Sequence, residues 1–446
     1  MTGLLTDLYE LTMAAGFFEA GKANDRATFE LFARKLPPNR NFILCAGLAQ
    51  AVEYLQNLRF TAEEIAYLRS LPQFARTHRA FFDMLAGLCF TGDLFAMPEG
   101  TPIFAGEPFL TLRAPLIEAQ IAETYLLSTI GFQSMIATKA ARVVKAAIGR
   151  QVVEFGTRRA HSPEAGVLAG RAAYIGGCAG TSNAETGLRY GVPVFGTAAH
   201  SWVMAFNTER ASFEELQRLL GESTVYLIDS YDTLEGARRA AALGRPLWGV
   251  RLDSGNLVEL APAVRKILDD AGLTEAKIMA TGDLNEHKIH ELVAARAPID
   301  MFGVGTELAT SADAPSLGVV YKLVELESAQ SGRRYTFKLS EDKATLPGAK
   351  QVFRFPDRDV LGRSCECAGC GQDDRPQAEA LLRPVILQGK IVEPVPDVYK
   401  SRRHAAESMA LLPAPCHSLF ESHAWRVELS ADLRHLDERV RAGADL

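Results

Sequence analysis

Short apolar segments alternate with longer amphipathic segments through the middle of the chain. The apolar segments are VVEF, VPVF, TVYLI, LWGV, KIMA and DMF. Between the later ones lie LEGARRAAALG, NLVELAPAVRKILDDAG and NEHKIHELVAARA, whose apolar residues recur with helical spacing. Strands that alternate with helices form parallel sheets. Residues 116–326 are therefore predicted to form an irregular parallel α/β barrel similar to a TIM barrel.

The two ends of the chain have other patterns. Residues 1–115 contain short apolar runs separated by turn sequences such as Pro-Glu-Gly and Ala-Gly-Glu-Pro, which predict a β-rich domain. Residues 327–446 lose the alternation and contain a polar, cysteine-containing insert and a final helical segment rich in Arg and Glu. We expect part of this C-terminal region to complete the N-terminal domain.

Composition narrows the class of protein. The chain has 446 residues, 48% of them hydrophobic, and a net charge of −6, which argues against a broad nucleic-acid-binding face. The N-terminus lacks the pattern of a secretory signal, and no apolar run is long enough to span a membrane. The chain has seven cysteines, which are scattered except for Cys365, Cys367 and Cys370, and this odd number does not indicate a disulfide framework. We therefore expect a soluble, cytoplasmic protein that binds neither nucleic acid nor membrane.

Each apolar segment of the middle region is followed by polar or small residues, and in a parallel barrel these strand ends converge on one face. The residues are Arg158, Arg159, Arg251, Thr281, Gly282, Gly303, Gly305, Thr306, Asp229, Asp253 and Asp283. The arginines suit carboxylate and phosphate groups, and the glycine-rich turns offer backbone N–H groups to a phosphate. The aspartates suit ribose hydroxyls or magnesium-bound water. Together they predict a site for a phosphorylated sugar and a second anion.

Several motifs resemble those of nicotinate phosphoribosyltransferases. They are LLTDLYELTMA, FGTRRAHSPEAG, AGTSNAETGLRYGVPVFGTAAHSWV, GVRLDSGNL and FGVGTELAT, in the family's order over about residues 3–326. The resemblance implies a type II phosphoribosyltransferase: an irregular α/β barrel, a β-rich α/β domain built from both chain ends, and a homodimer with sites at its interface. It further implies transfer of phosphoribose from phosphoribosyl pyrophosphate to nicotinate in NAD salvage, with Mg²⁺ and ATP.

The resemblance also implies roles for individual residues. Tyr9 would reach across the dimer to stack on the pyridine ring, opposite Phe155. Arg251 would bind the nicotinate carboxylate near Thr197, and Arg158 would help to bind the substrates. ATP would phosphorylate His200, beside an acidic wall of Asp229 and Asp253. The residues that would hold the 5-phosphate and ribose are Gly282, Asp283, Gly303, Gly305 and Thr306.

Ser182 bears on the choice of base. Related nicotinamide-using enzymes carry an Asp at this place, which accepts a hydrogen bond from the amide but would repel a carboxylate. A serine hydroxyl can donate to a carboxylate instead. The sequence therefore favours nicotinate over nicotinamide; a nicotinamide- or quinolinate-using enzyme and a non-catalytic sensor of NAD metabolites are the alternatives.

Two features depart from the simplest interpretation. Asn256 stands where the family motif RLDSGDL has an acidic residue, and we expect it to cap a helix instead. Cys365, Cys367 and Cys370 have a spacing that can wrap zinc. Structural zinc takes four ligands, and the sequence does not specify a fourth among Cys416, His404 and His417. We therefore assign no metal ligands and expect three ordinary thiols.

Overall fold

A computed structural model describes residues 3–338, 344–367 and 378–443. The chain divides into two compact units, Met1–Ser134 with Ser316–Leu446, and Met135–Pro315. The predicted boundaries were 115/116 and 326/327. The second boundary differs because the strand that contains residues 319–326 pairs with the first long strand of the chain and does not join the parallel sheet. The first boundary differs because residues 116–134 belong to the first unit.

Helices and strands are numbered in chain order. Those up to the end of the long connecting helix are α1 Leu8–Glu19, β1 Arg26–Ala33, β2 Ile43–Leu44, α2 Leu48–Gln56, α3 Ala62–Ser70, α4 Arg79–Ala86, β3 Asp93–Ala96, β4 Pro102–Ile103, β5 Pro108–Pro115, α5 Leu116–Ile121 and α6 Glu123–Ala146. Those of the middle region are β6 Gln151–Glu154, α7 Pro163–Ile175, β7 Gly180–Thr181, α8 Ala184–Tyr190, α9 His200–Met204, α10 Glu209–Leu220, β8 Val225–Leu227, α11 Thr233–Leu243, β9 Gly249–Leu252, α12 Leu257–Asp270, β10 Lys277–Ala280, α13 Glu286–Ala294, β11 Met301–Val304 and α14 Thr306–Ala309.

The C-terminal region adds β12 Val319–Ser328, β13 Gly332–Tyr335, β14 Lys350–Arg354, β15 Asp359–Arg363, β16 Glu379–Ala380, β17 Arg383–Leu387, β18 Lys390–Ile391, α15 Val398–Ala410, β19 Val427–Leu429 and α16 Ala431–Arg441. Short 3₁₀ turns cover Pro72–Phe74, Thr157–Arg159, Gly221–Ser223 and Ala414–His417. Among the described residues, no helix is both long enough and apolar enough to cross a bilayer.

Strands from both chain ends form the main sheet of the first unit. Its order is β13-β12-β1-β5-β3-β17-β18, and all its pairings are antiparallel. The interior strand β1 lies between β5, from the N-terminal half, and β12, from the C-terminal half. Phe29 of β1 stacks on Tyr321 of β12, with 4.6 Å between the ring centroids. Burial of these side chains joins the chain ends in one core.

The second unit contains a parallel sheet with the order β7-β6-β11-β10-β9-β8. The last strand, β11, pairs with the first, β6, as in a barrel. Among the described residues, however, no ladder joins β7 to β8, so the predicted irregular, TIM-like barrel is not confirmed. The predicted strand VPVF forms only a bridge between Val194 and Thr181. Pro193 within it has no N–H to donate to a ladder.

The parallel sheet has an apolar core that supports its carboxyl edge. Val153, Met279 and Met301 are buried on adjacent strands, and Phe155, Ala179, Phe195 and Trp248 pack against them. Phe155 follows β6 directly, and its N–H donates to the carbonyl of Val304 over 2.8 Å. The polar residues after the strands therefore extend from a packed apolar base.

Candidate active site

A cavity of about 660 Å³ opens at the carboxyl ends of the parallel strands. Its lining includes fourteen residues that the sequence singled out: Phe155, Arg158, Arg159, Ser182, Thr197, His200, Arg251, Asp253, Thr281, Gly282, Asp283, Gly303, Gly305 and Thr306. They come from separate strand ends and converge because the strands are parallel. The cavity is large enough for a nucleotide-sized ligand.

Arg251, on β9, is held rigidly at the cavity wall. Its Nε donates to Thr281 Oγ1 over 2.8 Å, and its Nη1 donates to Thr197 Oγ1 over 2.8 Å and to the Ala198 carbonyl over 3.2 Å. Its Nη2 donates to Asp253 Oδ1 over 2.7 Å. These are four hydrogen bonds, and a guanidinium has five N–H groups. One N–H therefore remains for an anionic ligand.

Asp253 links Arg251 to a second aspartate. Thr281 donates its hydroxyl to Asp253 Oδ1. Burial raises the pKa of Asp253, but the Thr281 hydrogen bond and the charge of Arg251 outweigh it, so the pKa lies below its usual value. The backbone N–H of Asp253 and the hydroxyl of Ser254 both donate to Asp229 Oδ2, over 3.0 and 2.6 Å. Asp229 is therefore part of the same network, although it does not line the cavity itself.

His200 lies at the start of α9 with its ring between two polar groups. Nδ1 is 3.0 Å from Ser230 Oγ, and Nε2 is 3.5 Å from Asp253 Oδ2. The second distance is that of an ion pair, longer than a well-formed hydrogen bond. The side chain is 41% exposed, so a ligand in the cavity can reach the ring.

Two glycines are required by close approach of the backbone. A Cβ at Gly282 would lie 2.0 Å from the carbonyl oxygen of Asp253, and the φ of Gly282 is +89°. A Cβ at Gly303 would lie 2.6 Å from the Thr281 side chain and 2.8 Å from the Phe155 ring. The sequence explained these glycines by phosphate binding alone. The structure adds that strand packing also excludes any side chain at both positions.

The remaining predicted residues differ in how firmly they are held. Phe155 packs on the apolar base, whereas Ser182 and Arg158 are exposed at the rim. The N–H of Ser182 donates to the carbonyl of Glu154 over 2.9 Å, and the residue lines the cavity. Within the described part of the chain, the Arg158 side chain makes no hydrogen bond or ion pair. Arg158 is thus an available cation.

Three residues make side-chain contacts in the site that the sequence did not predict, although Thr281 itself was expected there for its backbone N–H group. Thr281 bonds both Arg251 and Asp253, and Ser230 contacts His200. Glu154 is fully buried beneath the rim, where it accepts from the Gly156 N–H and from the Thr181 hydroxyl. Thr281 and Ser230 stand at strand ends, so their positions were a usable signal. Glu154 lies within an apolar run. A single acidic residue in such a run needs hydrogen-bond donors beside it when it is buried, and this was the available signal.

Asn256 caps α12, as predicted: its side chain accepts from the N–H of Val258 over 3.2 Å. Tyr9 lies on α1 of the first unit, where 51% of it is exposed. Its stacking on a base in a dimer stays a prediction.

The cysteine hypothesis needs a correction. Cys365 is a free, exposed thiol, but Cys367 is disulfide-bonded and is not an ordinary thiol. Oxidation to a disulfide removes the thiolate that a zinc ion requires. Cys370 lies outside the described residues. Within the described ranges, no three His, Cys, Asp or Glu side chains form a group that could hold a metal ion.

Comparison with known proteins agrees with the motifs. Residues 4–131 match the nicotinate phosphoribosyltransferase N-terminal domain, residues 150–332 match the nicotinate phosphoribosyltransferase family, and residues 373–437 match the nicotinate phosphoribosyltransferase C-terminal domain. A curated nicotinate phosphoribosyltransferase of Mycobacterium tuberculosis is 44% identical to this chain, over 97% of this chain and 94% of its own length.

Solved structures agree as well. The crystal structure of human nicotinic acid phosphoribosyltransferase superposes with a TM-score of 0.86 at 29% identity, covering 98% of this chain and 99% of that one. The structure of a nicotinate-nucleotide pyrophosphorylase from Pyrococcus furiosus superposes with a TM-score of 0.76 at 26% identity, covering 92% and 95%. This chain belongs to the nicotinate phosphoribosyltransferase family.

Proposed function

We propose that this protein transfers the 5-phosphoribosyl group of phosphoribosyl pyrophosphate to the ring nitrogen of nicotinate. The products are nicotinate mononucleotide and pyrophosphate, which places the reaction in NAD salvage. The bond between ribose C1 and the pyrophosphate oxygen breaks with its electron pair leaving on pyrophosphate, and the nitrogen lone pair forms the new bond to C1. No covalent enzyme–ribose intermediate is needed, so positioning and electrostatics are the protein's tasks.

A single observation carries this proposal. One cavity holds a fixed cation, Arg251, together with the glycine turns at Gly282 and at Gly303–Gly305. The free N–H of Arg251 suits the nicotinate carboxylate, and the Ser182 hydroxyl on the same cavity suits it as a second donor. The two turns suit the 5-phosphate, with Thr306 and Asp283 beside it. Phe155 offers an apolar wall for the pyridine ring, and Arg158 a cation for the phosphates.

Magnesium fits the acidic side of the cavity. Asp229 Oδ1 is buried and has no hydrogen-bond partner among the described residues. Carboxylate oxygens are the ligands that Mg²⁺ takes, commonly one or two of them together with substrate phosphates. Asp229 and Asp253 would hold the ion, which supplies positive charge to the departing pyrophosphate.

ATP coupling through His200 extends the proposal. A proton on Nε2, facing the Asp253 carboxylate, leaves the Nδ1 lone pair to accept from Ser230 or to attack the γ-phosphorus of ATP. The new Nδ1–P bond forms as the bond to the ADP oxygen breaks. The phosphohistidine places negative charge beside the pyrophosphate site, as a charge switch does. A homodimer in which Tyr9 of the second copy stacks on the base completes the proposal.

A substrate panel tests the activity. Purified protein is assayed with phosphoribosyl pyrophosphate, Mg²⁺ and nicotinate, nicotinamide or quinolinate, each with and without ATP. We expect nicotinate to have the highest kcat/KM and ATP to increase the rate. A higher kcat/KM for nicotinamide or quinolinate would assign the site to that base. Absence of product with all three would favour a non-catalytic sensor.

A further inference from the structure

Behind the two glycine turns lies a buried cluster of charged side chains. Lys139, on α6, is only 1% exposed, and its Nζ lies 2.6 Å from Glu286 Oε2 and 2.8 Å from Asp313 Oδ1. The same Nζ lies 3.7 Å from Glu307 Oε2. Arg142, one helical turn further along α6, donates from Nε to Glu286 Oε1 over 2.9 Å. The cluster thus holds three carboxylates and two cations.

Two of the three carboxylates, those of Glu286 and Glu307, belong to the elements that follow the turns. Glu286 is the first residue of α13, which begins after the turn at Gly282 and Asp283. Glu307 directly follows Thr306, at the end of the turn that contains Gly303 and Gly305. Both turns line the cavity, whereas Lys139 does not. Lys139 is therefore the one ammonium group that contacts carboxylates from both segments, among the residues that the structure describes.

Negative charge on Glu286 and Glu307, which follow the turns, opposes the binding of a phosphate there. Glu286 is fully buried, yet the charge and hydrogen bonds of Lys139 and Arg142 outweigh the effect of burial and hold its pKa below the usual value. Glu286 is therefore ionised, and so little water surrounds it that its field is weakly screened. Without Lys139, Arg142 would be the one cation beside the three carboxylates of the cluster. Their excess negative charge would repel an anion at the turns.

We propose that Lys139 is a positioning residue for phosphoribosyl pyrophosphate. Its ammonium cancels the charge of Glu286 and Glu307 and joins the two segments that carry the turns, so that both turns present their N–H groups to one phosphate. This inference rests on the proposed function, because it takes the turns to be the phosphate site. It predicts that loss of Lys139 weakens the binding of phosphoribosyl pyrophosphate much more than the binding of nicotinate.

Steady-state kinetics of Lys139→Met, with each substrate varied in turn, tests this role. We expect KM for phosphoribosyl pyrophosphate to rise about tenfold, the scale of effects through such networks, and KM for nicotinate to change less than about twofold. Lys145→Met, an exposed lysine on the same helix, is the matched control and should match wild type. An unchanged KM for phosphoribosyl pyrophosphate, or equal increases for both substrates, would overturn the role.

Glu307→Gln keeps the proposal testable if Lys139→Met does not fold, because the Glu307 side chain is 32% exposed and its loss leaves Lys139 paired. It removes negative charge beside Thr306, so KM for phosphoribosyl pyrophosphate should fall, by about twofold. It should also restore part of the affinity lost in Lys139→Met. A merely structural cluster predicts the opposite, an unchanged or higher KM in Glu307→Gln, and that result would refute the inference. Wild-type protein that forms no nicotinate mononucleotide would instead refute the proposed function.

Discussion

Arg251 Nη2 and Asp253 Oδ1 form an ion pair of 2.7 Å across the end of β9. The two residues are next-but-one neighbours, and in an extended strand such residues lie on the same face. The pair fixes the guanidinium before any ligand binds, so less conformational entropy is lost when an anion is bound. Together with the hydrogen bonds to Thr281, Thr197 and Ala198, it limits Arg251 to one remaining N–H, which favours a single charge-assisted hydrogen bond over a bidentate contact.

Arg251→Ala should therefore weaken the binding of nicotinate selectively. A charge-assisted hydrogen bond contributes roughly 1.5–3 kcal/mol, which corresponds to an increase in KM for nicotinate of about tenfold to a hundredfold. Initial rates with nicotinate varied at saturating phosphoribosyl pyrophosphate measure the effect. Arg238→Ala on the surface of α11 is the control, since its partner Glu235 is one turn away and both are exposed. An increase confined to KM for phosphoribosyl pyrophosphate would assign Arg251 to the other substrate.

Ser182→Asp should lower the preference for the acid. The added carboxylate would repel nicotinate and could accept a hydrogen bond from the amide of nicotinamide. We expect the ratio of kcat/KM for nicotinate to that for nicotinamide to fall, about tenfold or more for a direct charge contact. Ser70→Asp, exposed at the end of α3, changes the net charge equally and should leave the ratio as in wild type. The same ratio in Ser182→Asp would show that Ser182 does not face the base.

Sequence periodicity predicted the individual strands better than it predicted whether the strands close into a barrel. Of the six apolar segments, five contain strands of the parallel sheet, because a buried parallel strand is a continuous apolar run. VPVF has the same pattern, but Pro193 lacks an N–H, and the segment forms only one bridge. The strand that occupies this place in the sheet is β7. The apolar pattern does not predict it, because two residues are too few to give a pattern.

The polar face of the site was predictable, but its internal contacts were not. Parallel strands must bring their ends together, so Arg251, His200 and Asp253 could be grouped from the sequence. Whether Thr281 bonds Arg251 depends on the register between β9 and β10, in which Met279 lies opposite Arg251. The pairing of Lys139 with Glu286 depends on how a helix packs, and spacing in the sequence carries no signal of it.

Glu154→Gln should change how stability depends on pH. Burial raises the pKa of Glu154 above the ordinary 4.5, while hydrogen bonds from Thr181 and Gly156 only partly oppose the shift. The folded protein then keeps a proton that the unfolded chain has released. The free energy of unfolding therefore falls as pH rises from about 4.5 to the pKa in the folded state. The variant cannot titrate at this position and should not lose that part of its stability.

Urea unfolding of wild type and Glu154→Gln at several pH values from weakly acidic to neutral measures this difference. The stability of the variant relative to wild type should increase as pH rises. Glu259→Gln, an exposed glutamate on α12, serves as the matched control and should run parallel to wild type. Parallel curves for Glu154→Gln as well would mean that the folded and unfolded states bind this proton equally.

His200→Ala should separate ATP hydrolysis from phosphoribosyl transfer. The imidazole contacts Ser230 and Asp253, and these two partners can fix one tautomer and stabilise the charge that develops on phosphorylation. If His200 accepts the phosphoryl group, the variant should incorporate no acid-labile phosphate from γ-labelled ATP. Its rate should no longer increase with ATP. Slow transfer from phosphoribosyl pyrophosphate should remain, because the ribose chemistry does not use the imidazole as a nucleophile.

His435→Ala, an exposed histidine on α16, is the control for loss of an imidazole and should incorporate phosphate like wild type. Ser230→Ala adds a finer test, since it removes only the group that contacts Nδ1. It should slow phosphate incorporation, while the acid-labile product stays the same. Two results would count against His200: full stimulation by ATP in His200→Ala, or acid-labile phosphate that persists in that variant. Either result would require another acceptor of the phosphoryl group, because His200→Ala has no imidazole at position 200.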